Sequence, residues 1–218
     1  MVMKSLSIAK SAISPFALAR VADSSVIFAE ARTEMVRKSI HFLVALTPGI
    51  AVINYSLTVL MLMAGVLGYT FMEQLRLAGV KVPVVSALTS MASRPRDKGA
   101  FVLGPVTLGI GALLALLLFP SPAACIGIYA LAFGDGFAAL VGKLFGKIRP
   151  VFLFGKSVEG SMACFGATFV SAWVVSRSFV VALTAAITAT VVEALPLKDY
   201  DNIALPLVVG FVVQAAMH

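Results

Sequence analysis

The chain has 218 residues, of which 60% are hydrophobic and only 12% are charged, and its formal net charge is +7. Soluble domains carry about 25% charged residues, so this composition leaves too little polar surface for a globule in water and excludes an ordinary soluble enzyme. Lipid is the remaining solvent. The surplus of Lys and Arg then fits loops that face anionic lipid headgroups better than it fits nucleic-acid binding.

The N-terminal part, residues 1–33, precedes the long apolar segments. Lys4 and Lys10 stand before a short apolar patch at 13–19, which Ser14 and Pro15 interrupt. The patch is a poor match to a signal peptide and predicts a cytoplasmic or interfacial helical segment. Residues 34–218 are predicted to form a single transmembrane domain.

Seven apolar segments follow one another in the rest of the chain, at about 39–53, 56–72, 100–119, 122–142, 158–176, 178–194 and 203–217. Each is close to the roughly 20 residues with which a helix crosses about 30 Å of hydrocarbon. The sequence therefore predicts an all-α, polytopic membrane helix bundle of six or seven transmembrane helices. Pro48-Gly49 predicts a bend near the end of the first segment.

Positive charge is confined to alternate connections between these segments. Only one of the 17 Lys and Arg residues, Arg177, falls on the side opposite the N-terminus. Since Lys and Arg are retained in cytoplasmic loops, we expect the N-terminus and the charged loops to be cytoplasmic and the C-terminus to lie outside. An integral protein of the cell inner membrane fits this pattern.

The first segment opens with four ionisable residues on one helical face. Glu34, Arg37, Lys38 and His41 have the spacing i, i+3, i+4 and i+7. Ionisable groups at membrane depth are costly unless paired or hydrated, and they mark functional sites by default. The alternative is a charged helix end at the headgroups, with Arg and Lys snorkelling.

Asp135 stands alone between Gly134 and Gly136 inside the fourth segment. A carboxylate there suits a hydrated divalent cation such as Mg²⁺, and the flanking glycines would let a ligand approach the backbone. The alternative is a structural Asp that pairs with a basic residue of a neighbouring helix.

Basic residues and glycines follow in the next connection. Gly142-Lys143 and Gly146-Lys147 precede Lys156-Ser157, which stand at a predicted helix start, where the dipole favours anions. The alternative for the two glycines, at i and i+4, is a helix-packing motif. This is not a Walker loop, because Pro150 occupies the position of its first glycine. Acidic residues return later in the chain as Glu193 and Asp201, followed by Asn202. Carboxylates that hold Mg²⁺ beside cations that neutralise phosphates are the arrangement that phosphoryl transfer needs.

The order of these motifs resembles that of one enzyme family. The matching elements, over residues 34 to about 210, are Glu34-x-x-Arg37-Lys38-x-x-His41, Glu73-x-x-Arg76, Gly134-Asp135-Gly136, Gly142-Lys143, Gly146-Lys147, Lys156-Ser157-x-Glu159-Gly160-Ser161, Glu193 and Asp201-Asn202. Together they resemble the dolichol kinase, phytol kinase and CTP-dependent diacylglycerol kinase family. The resemblance implies transfer of a phosphoryl group, commonly from CTP, to a lipid alcohol such as a polyprenol, phytol or diacylglycerol.

The resemblance also implies roles for Arg37, Lys38, Asp135 and Gly142. Together with the residues above, it leads us to expect a catalytic and metal-binding set of Asp135, Glu193 and Asp201. The expected nucleotide-binding set is Arg37, Lys38, His41, Arg76, Gly142, Lys143, Lys147, Lys156, Ser157 and Asn202. The expected ligands are Mg²⁺ and CTP, the latter as phosphoryl donor.

Two other functions stay open at this stage. The CDP-diacylglycerol synthases are distant relatives that share the Asp, Gly-Lys and Lys-Ser/Thr-x-Glu-Gly elements. This chain lacks their C-terminal Pro-Gly-His-Gly-Gly and Asp-Arg-x-Asp sequences. A small transporter with an intramembrane Asp is the second alternative. Against it, no pair of broken segments in matching halves suggests an inverted repeat.

Overall fold

The described part of the chain is helical. A computed structural model describes residues 33–83, 86, 89 and 99–217, and these contain no β-strand. Their seven long helices are α1 (Thr33–Ile53), α2 (Tyr55–Leu77), α3 (Gly104–Leu118), α4 (Ala123–Leu144), α5 (Val158–Ser176), α6 (Phe179–Ala194) and α7 (Asp201–Ala216). They coincide with the seven apolar segments and confirm the helix bundle. The predicted N-terminal segment up to residue 32, the charges at 94–98 and His218 lie outside the described residues.

Length separates the helices into two groups. By length and composition, α1, α2, α4 and α5 are long and apolar enough to cross a membrane. The helices α3, α6 and α7 have 15, 16 and 16 residues, or about 23–24 Å at 1.5 Å per residue. Short apolar helices are accommodated by local thinning of the bilayer or by snorkelling of flanking residues.

Two helices extend beyond their apolar segments into charged sequence. In α1, Arg37 Nη2 lies 2.5 Å from Glu34 Oε1, and in α2, Arg76 Nε lies 2.7 Å from Glu73 Oε2. Such i, i+3 pairs stabilise the helix turns that carry them.

The first helix is also interrupted where a bend was predicted. A turn at 45–46 breaks the helical pattern of α1, and Pro48 stands in the first turn of the part that follows. Proline lacks the N–H that would continue the hydrogen-bond ladder, and its ring clashes with the carbonyl four residues earlier.

Helix α4 is the central element of the bundle. Of the 18 most hydrophobic consecutive residues of α4, 61% are buried, whereas the corresponding share for α2 is 6%. Helix α4 packs against α5 and α7, α7 also contacts α3 and α6, and α2 lies at the edge against α3. The shared core includes Ile126, Leu131, Leu205 and Val209. A functional group carried by α4 is therefore surrounded by other helices.

Two glycines bring α7 close to its neighbours. A Cβ on Gly127 of α4 would lie 2.5 Å from the carbonyl oxygen of Pro206, and one on Gly111 of α3 would lie 2.0 Å from that of Asn202. No larger residue fits at either contact. The first turn of α7, which contains Asp201, is thereby fixed beside α3 and α4.

The alternating charges predict which end of the bundle is cytoplasmic. In a protein whose native cysteines have been replaced, Lys147→Cys should react only with a membrane-impermeant thiol reagent applied from the cytoplasmic side. Arg177→Cys, in the turn between α5 and α6, is the matched control and should react only from the other side. Labelling of Lys147→Cys from outside intact cells would contradict the orientation.

Candidate functional site

Asp135 stands at the end of an irregular stretch of α4. Residues Ala130–Asp135 form a π-helical segment, a feature that is frequent at functional sites. The residue is only 6% exposed. Its Oδ2 accepts a hydrogen bond from Lys38 Nζ of α1, and His41 Nδ1 lies 3.2 Å from the same oxygen. The two helices are thus joined at this depth by a buried ion pair.

The glycines on either side of Asp135 serve helix packing. A Cβ on Gly134 would lie 2.6 Å from Thr168 Oγ1 of α5, and one on Gly136 would lie 2.8 Å from Cε1 of Phe42 in α1. The sequence interpretation had a ligand approaching the backbone at these glycines. In the structure, neighbouring helices occupy that space, and the glycines let α1 and α5 close around the carboxylate.

A polar cavity of about 200 Å³ opens beside Asp135 at the charged end of the bundle. Four acidic residues and four basic residues line it together. They are Glu34, Asp135, Glu193 and Asp201, and Arg37, Lys143, Arg149 and Lys156. They come from α1, α4, α6, α7 and the connection between α4 and α5, so residues distant in sequence converge here. Both charge signs therefore face one space, at the end where phosphate chemistry was expected.

Several buried polar atoms of the cavity residues have no hydrogen-bond partner within the described part of the chain. They are Arg37 Nε, Ser161 Oγ and Glu193 Oε2. The other carboxylate oxygen of Glu193, Oε1, lies 2.9 Å from Lys156 Nζ. Buried polar groups are nearly always satisfied, by protein, by ordered water or by a ligand. Two donors and an acceptor are thus available to a bound molecule.

The loop at residues 145–157 forms one wall of the cavity, and two charged residues hold it in place. Glu159 of α5 accepts hydrogen bonds from the backbone N–H groups of Lys147 and Ile148, at 3.0 and 3.3 Å. Arg149 donates to the carbonyl oxygens of Gly155 and Gly142, at 2.6 and 2.7 Å. The loop is thereby fixed to the ends of both α4 and α5.

Ser157 and the neighbouring glycines close the contact between α4 and α5. Ser157 Oγ caps α5 by accepting from the N–H of Gly160 at 3.1 Å. A Cβ on Gly142 would lie 3.0 Å from Ser157 Oγ, and one on Gly160 would lie 2.7 Å from the carbonyl oxygen of Ala138. Gly142 and Ser157 line the cavity, and both also set the spacing of the two helices.

Most of the residues proposed from the sequence lie at this cavity. Those that line it are Arg37, Asp135, Gly142, Lys143, Lys156, Ser157, Glu193 and Asp201. Lys38 and His41 contact Asp135 without lining the cavity themselves, so they act on it through that carboxylate. The exposed Lys147 is not part of the wall, and its backbone N–H holds Glu159.

Arg76 and Asn202 occupy structural positions away from the cavity wall. Arg76 binds Glu73 and donates to the carbonyl oxygen of Ala100 at 3.0 Å, while Glu73 also accepts from the N–H of Val102. Asn202 is buried, and its amide donates to Thr107 Oγ1 at 2.9 Å. The geometry gives both residues a part in holding helix ends, and it lends no support to nucleotide binding by either.

Sequence reasoning missed three cavity residues and one that positions the loop. Glu34 and Ser161 belong to recognised motifs and line the cavity without having been assigned to the site. Arg149 had no signal, because a lone Arg in a basic loop is expected to be solvated. Glu159 had been noted as a charge at the start of an apolar segment, and only the fold shows that it binds two backbone N–H groups.

The carboxylates fit a metal ion only when it arrives with phosphate. In the part of the chain that the structure describes, no three His, Cys, Asp or Glu side chains are grouped so that they could hold a metal by themselves. Mg²⁺ usually keeps several waters and binds one or two carboxylates together with substrate phosphates. Asp135, Glu193 and Asp201 around one cavity match that donor set and do not match an all-protein cage.

Comparison with known proteins identifies relatives of one kind. "Phytol kinase" of Synechocystis is 33% identical over an alignment of 152 residues that covers 66% of this chain and 64% of that protein. "Probable phytol kinase, chloroplastic" of Triticum aestivum is 32% identical over an alignment of 139 residues that covers 56% of this chain and 46% of that protein. "Probable phytol kinase 1, chloroplastic" of Oryza sativa is 29% identical over an alignment of 148 residues that covers 59% of this chain and 47% of that protein.

The matched part of the chain therefore spans about half to just under two thirds of these curated relatives. No family description matches the chain, and no solved structure does. Sequence identity of this extent makes the chain a homologue of phytol kinases and confirms the resemblance drawn from its motifs.

The close contact of α4 with α5 predicts unequal effects at two glycines of α5. Gly160→Ala should lower the melting temperature in detergent, because the new methyl overlaps the Ala138 carbonyl oxygen, and such overpacking costs about 1–3 kcal/mol. Gly166→Ala, whose Cβ meets nothing within 4 Å, is the matched control. It should be neutral or slightly stabilising. Equal melting temperatures for the two variants would contradict the packing.

Proposed function

We propose that this relative of the phytol kinases transfers the γ-phosphoryl group of a nucleotide to the hydroxyl of a membrane lipid alcohol. The observation that carries the proposal is the cavity in which Glu34, Asp135, Glu193 and Asp201 face Arg37, Lys143, Arg149 and Lys156. Phosphoryl transfer depends mainly on positioning and on neutralisation of phosphate charge. By the names of the relatives, the acceptor is an isoprenoid alcohol such as phytol.

The basic side of the cavity is suited to hold the phosphates. Arg37 Nε and Ser161 Oγ are buried donors without a partner in the described residues, and Lys156 stands beside the capped first turn of α5. The positive end of a helix dipole adds to the attraction for an anion.

The acidic side is suited to the acceptor and to the metal. As the lipid hydroxyl oxygen bonds to the γ-phosphorus, the bond to the bridging oxygen breaks and a nucleoside diphosphate leaves. The hydroxyl proton passes to Glu193, whose Oε2 has no partner among the described residues. Mg²⁺ bound with the nucleotide at Asp135 and Asp201 would supply neutralisation of the phosphate charge. Lys38 holds the Asp135 carboxylate in position by its hydrogen bond to Oδ2.

CTP as the donor and the cytoplasmic face as the location complete the proposal. CTP rests on the resemblance to CTP-dependent kinases. The location rests on the basic connections, which gather at the end of the bundle that contains the cavity. Anionic headgroups of the inner membrane would surround that end.

Nucleotide labelled at the γ-phosphate should transfer its label to an isoprenoid alcohol when the purified protein, Mg²⁺ and the lipid are combined. Labelled CTP should be the better donor than ATP. Cytidine incorporated into lipid with release of pyrophosphate would instead indicate a cytidylyltransferase. Absence of transfer to every lipid alcohol tested would contradict the kinase proposal.

Two lysine variants test whether the nucleotide binds in the cavity. Lys156→Ala removes a cation from the cavity wall and should weaken nucleotide binding by at least about tenfold, the order of a lost charge-assisted hydrogen bond. Lys81→Ala removes an equally hydrophilic Lys from the exposed connection after α2 and should bind nucleotide normally. Equal affinities would place the phosphates elsewhere.

Asp135 can be tested separately from its ion pair with Lys38. Asp135→Asn should lower the rate of transfer by about 10²–10³-fold, a typical effect of removing one electrostatic contact from the transition state. It should also lower thermal stability, because Lys38 is left buried without its counter-ion.

The double variant Lys38→Met with Asp135→Asn separates the two effects. It removes both charges, so it should regain thermal stability while transfer stays low. Recovery of activity together with stability would show that Asp135 serves only the fold.

A further inference from the structure

The loop between α4 and α5 presents an apolar tip. Val151, Phe152 and Phe154 are 94%, 73% and 63% exposed, and Ile148 is exposed as well. Apolar side chains in that number are not normal for a loop in water. We name residues 148–154 the apolar loop.

The backbone holds these side chains outward. The base of the apolar loop is fixed by Glu159 and Arg149, as described above, and Val151–Leu153 form a 3-10 turn after Pro150. Phe154 then adopts φ = 50°, in the left-handed region that a bulky residue rarely enters. A strained residue on a fixed base shows that exposure of the tip is built into the fold.

The position of the apolar loop brings it to the surface of the protein's own membrane. It follows α4 and precedes α5, both long and apolar enough to span the bilayer. Lys147 directly precedes the apolar loop and is exposed, whereas Arg149 and Lys156 face the cavity. Aromatic and aliphatic side chains beside basic ones are the combination that enters the boundary between headgroups and acyl chains in anionic membranes.

The same loop also forms the wall of the cavity. Arg149, Gly155 and Lys156 line the cavity, while the apolar tip points away from the protein. A lipid alcohol in the membrane would therefore meet the tip next to the place where its hydroxyl must react.

We propose that the apolar loop inserts into the headgroup layer of the anionic leaflet and guides the lipid alcohol sideways into the cavity. The guidance part rests on the proposed kinase function, whereas the insertion part does not. Loss of the apolar side chains should weaken the use of lipid and leave nucleotide binding unchanged.

Insertion can be measured by fluorescence in vesicles of phosphatidylglycerol and phosphatidylcholine. The chain contains a single Trp, Trp173, so a Trp173→Phe protein with Phe152→Trp reports on the tip alone. Its emission should be blue-shifted and quenched by lipids brominated near the headgroup. The unsubstituted protein, with Trp173 on the lipid-exposed side of α5, is the positive control for quenching by brominated lipids. Emission like that of Trp in water would overturn insertion. Blue-shifted emission without quenching by brominated lipid would overturn it as well, because protein would then cover the tip.

Guidance is tested by kinetics with the same vesicles. The double variant Val151→Ser with Phe152→Ser should lower kcat/KM for the lipid alcohol by at least roughly tenfold, which is less than the loss of even one fully buried apolar side chain would give, with nucleotide affinity unchanged. Val80→Ser, an exposed apolar position that does not line the cavity, is the control and should behave as the unsubstituted protein. An unchanged kcat/KM in the double variant would overturn guidance. If the unsubstituted protein phosphorylates no lipid, guidance falls with the proposed function, and fluorescence alone decides insertion.

Discussion

The buried ion pair between Lys38 and Asp135 is the contact on which the site depends. An isolated carboxylate inside an apolar bundle is costly, and a lone ammonium group is equally so. Pairing them across α1 and α4 removes most of that cost and at the same time fixes where the two helices meet. The close glycine contacts with α1 and α5 follow from the same need, because only small residues let the helices approach the carboxylate on both sides.

The cavity continues this arrangement outward, towards the charged end of the bundle. Lys38 compensates the charge of Asp135 from the side of α1, so the opposite side of the carboxylate can face a ligand. Glu193 is paired with Lys156 through one oxygen only, and its second oxygen has no partner in the described residues. Incompletely satisfied buried groups reduce stability. Three such atoms, on Arg37, Ser161 and Glu193, belong to residues of this cavity, and the proposed binding of a charged substrate would satisfy them.

The sequence predicted the bundle well because hydrophobicity over 15–23 residues is a strong signal in a membrane protein. The seven apolar segments coincide with the seven long helices of the residues that the structure describes, and the bend near Pro48 was predictable from the chemistry of proline. The same reasoning found Lys38, His41 and Asp135, because ionisable residues stand out against an apolar background. It also raised a salt bridge as one explanation of Asp135, and the structure shows that pair.

Contacts made across the fold were beyond the reach of sequence reasoning. Arg76 and Asn202 have the chemistry of phosphate or nucleotide ligands, and only packing shows that Arg76 donates to the carbonyl oxygen of Ala100 and Asn202 to Thr107. Arg149 looked like one more solvated cation, yet it binds two backbone carbonyl groups and lines the cavity. Phe152 fell in the connection between two predicted spans, but the exposure of the apolar tip could not be predicted, because it is a property of the loop's shape.

We propose that one cavity at the end of the bundle receives the phosphates of the nucleotide. An experimental map of the protein in lipid nanodiscs, with Mg²⁺ and a non-hydrolysable nucleotide, is the strongest test of this proposal. Phosphate density should lie between Arg37 and Lys156, with the terminal phosphate closest to Asp135 and Glu193. Nucleotide density outside this cavity, with the Lys38–Asp135 pair intact and far from any phosphate, would contradict it.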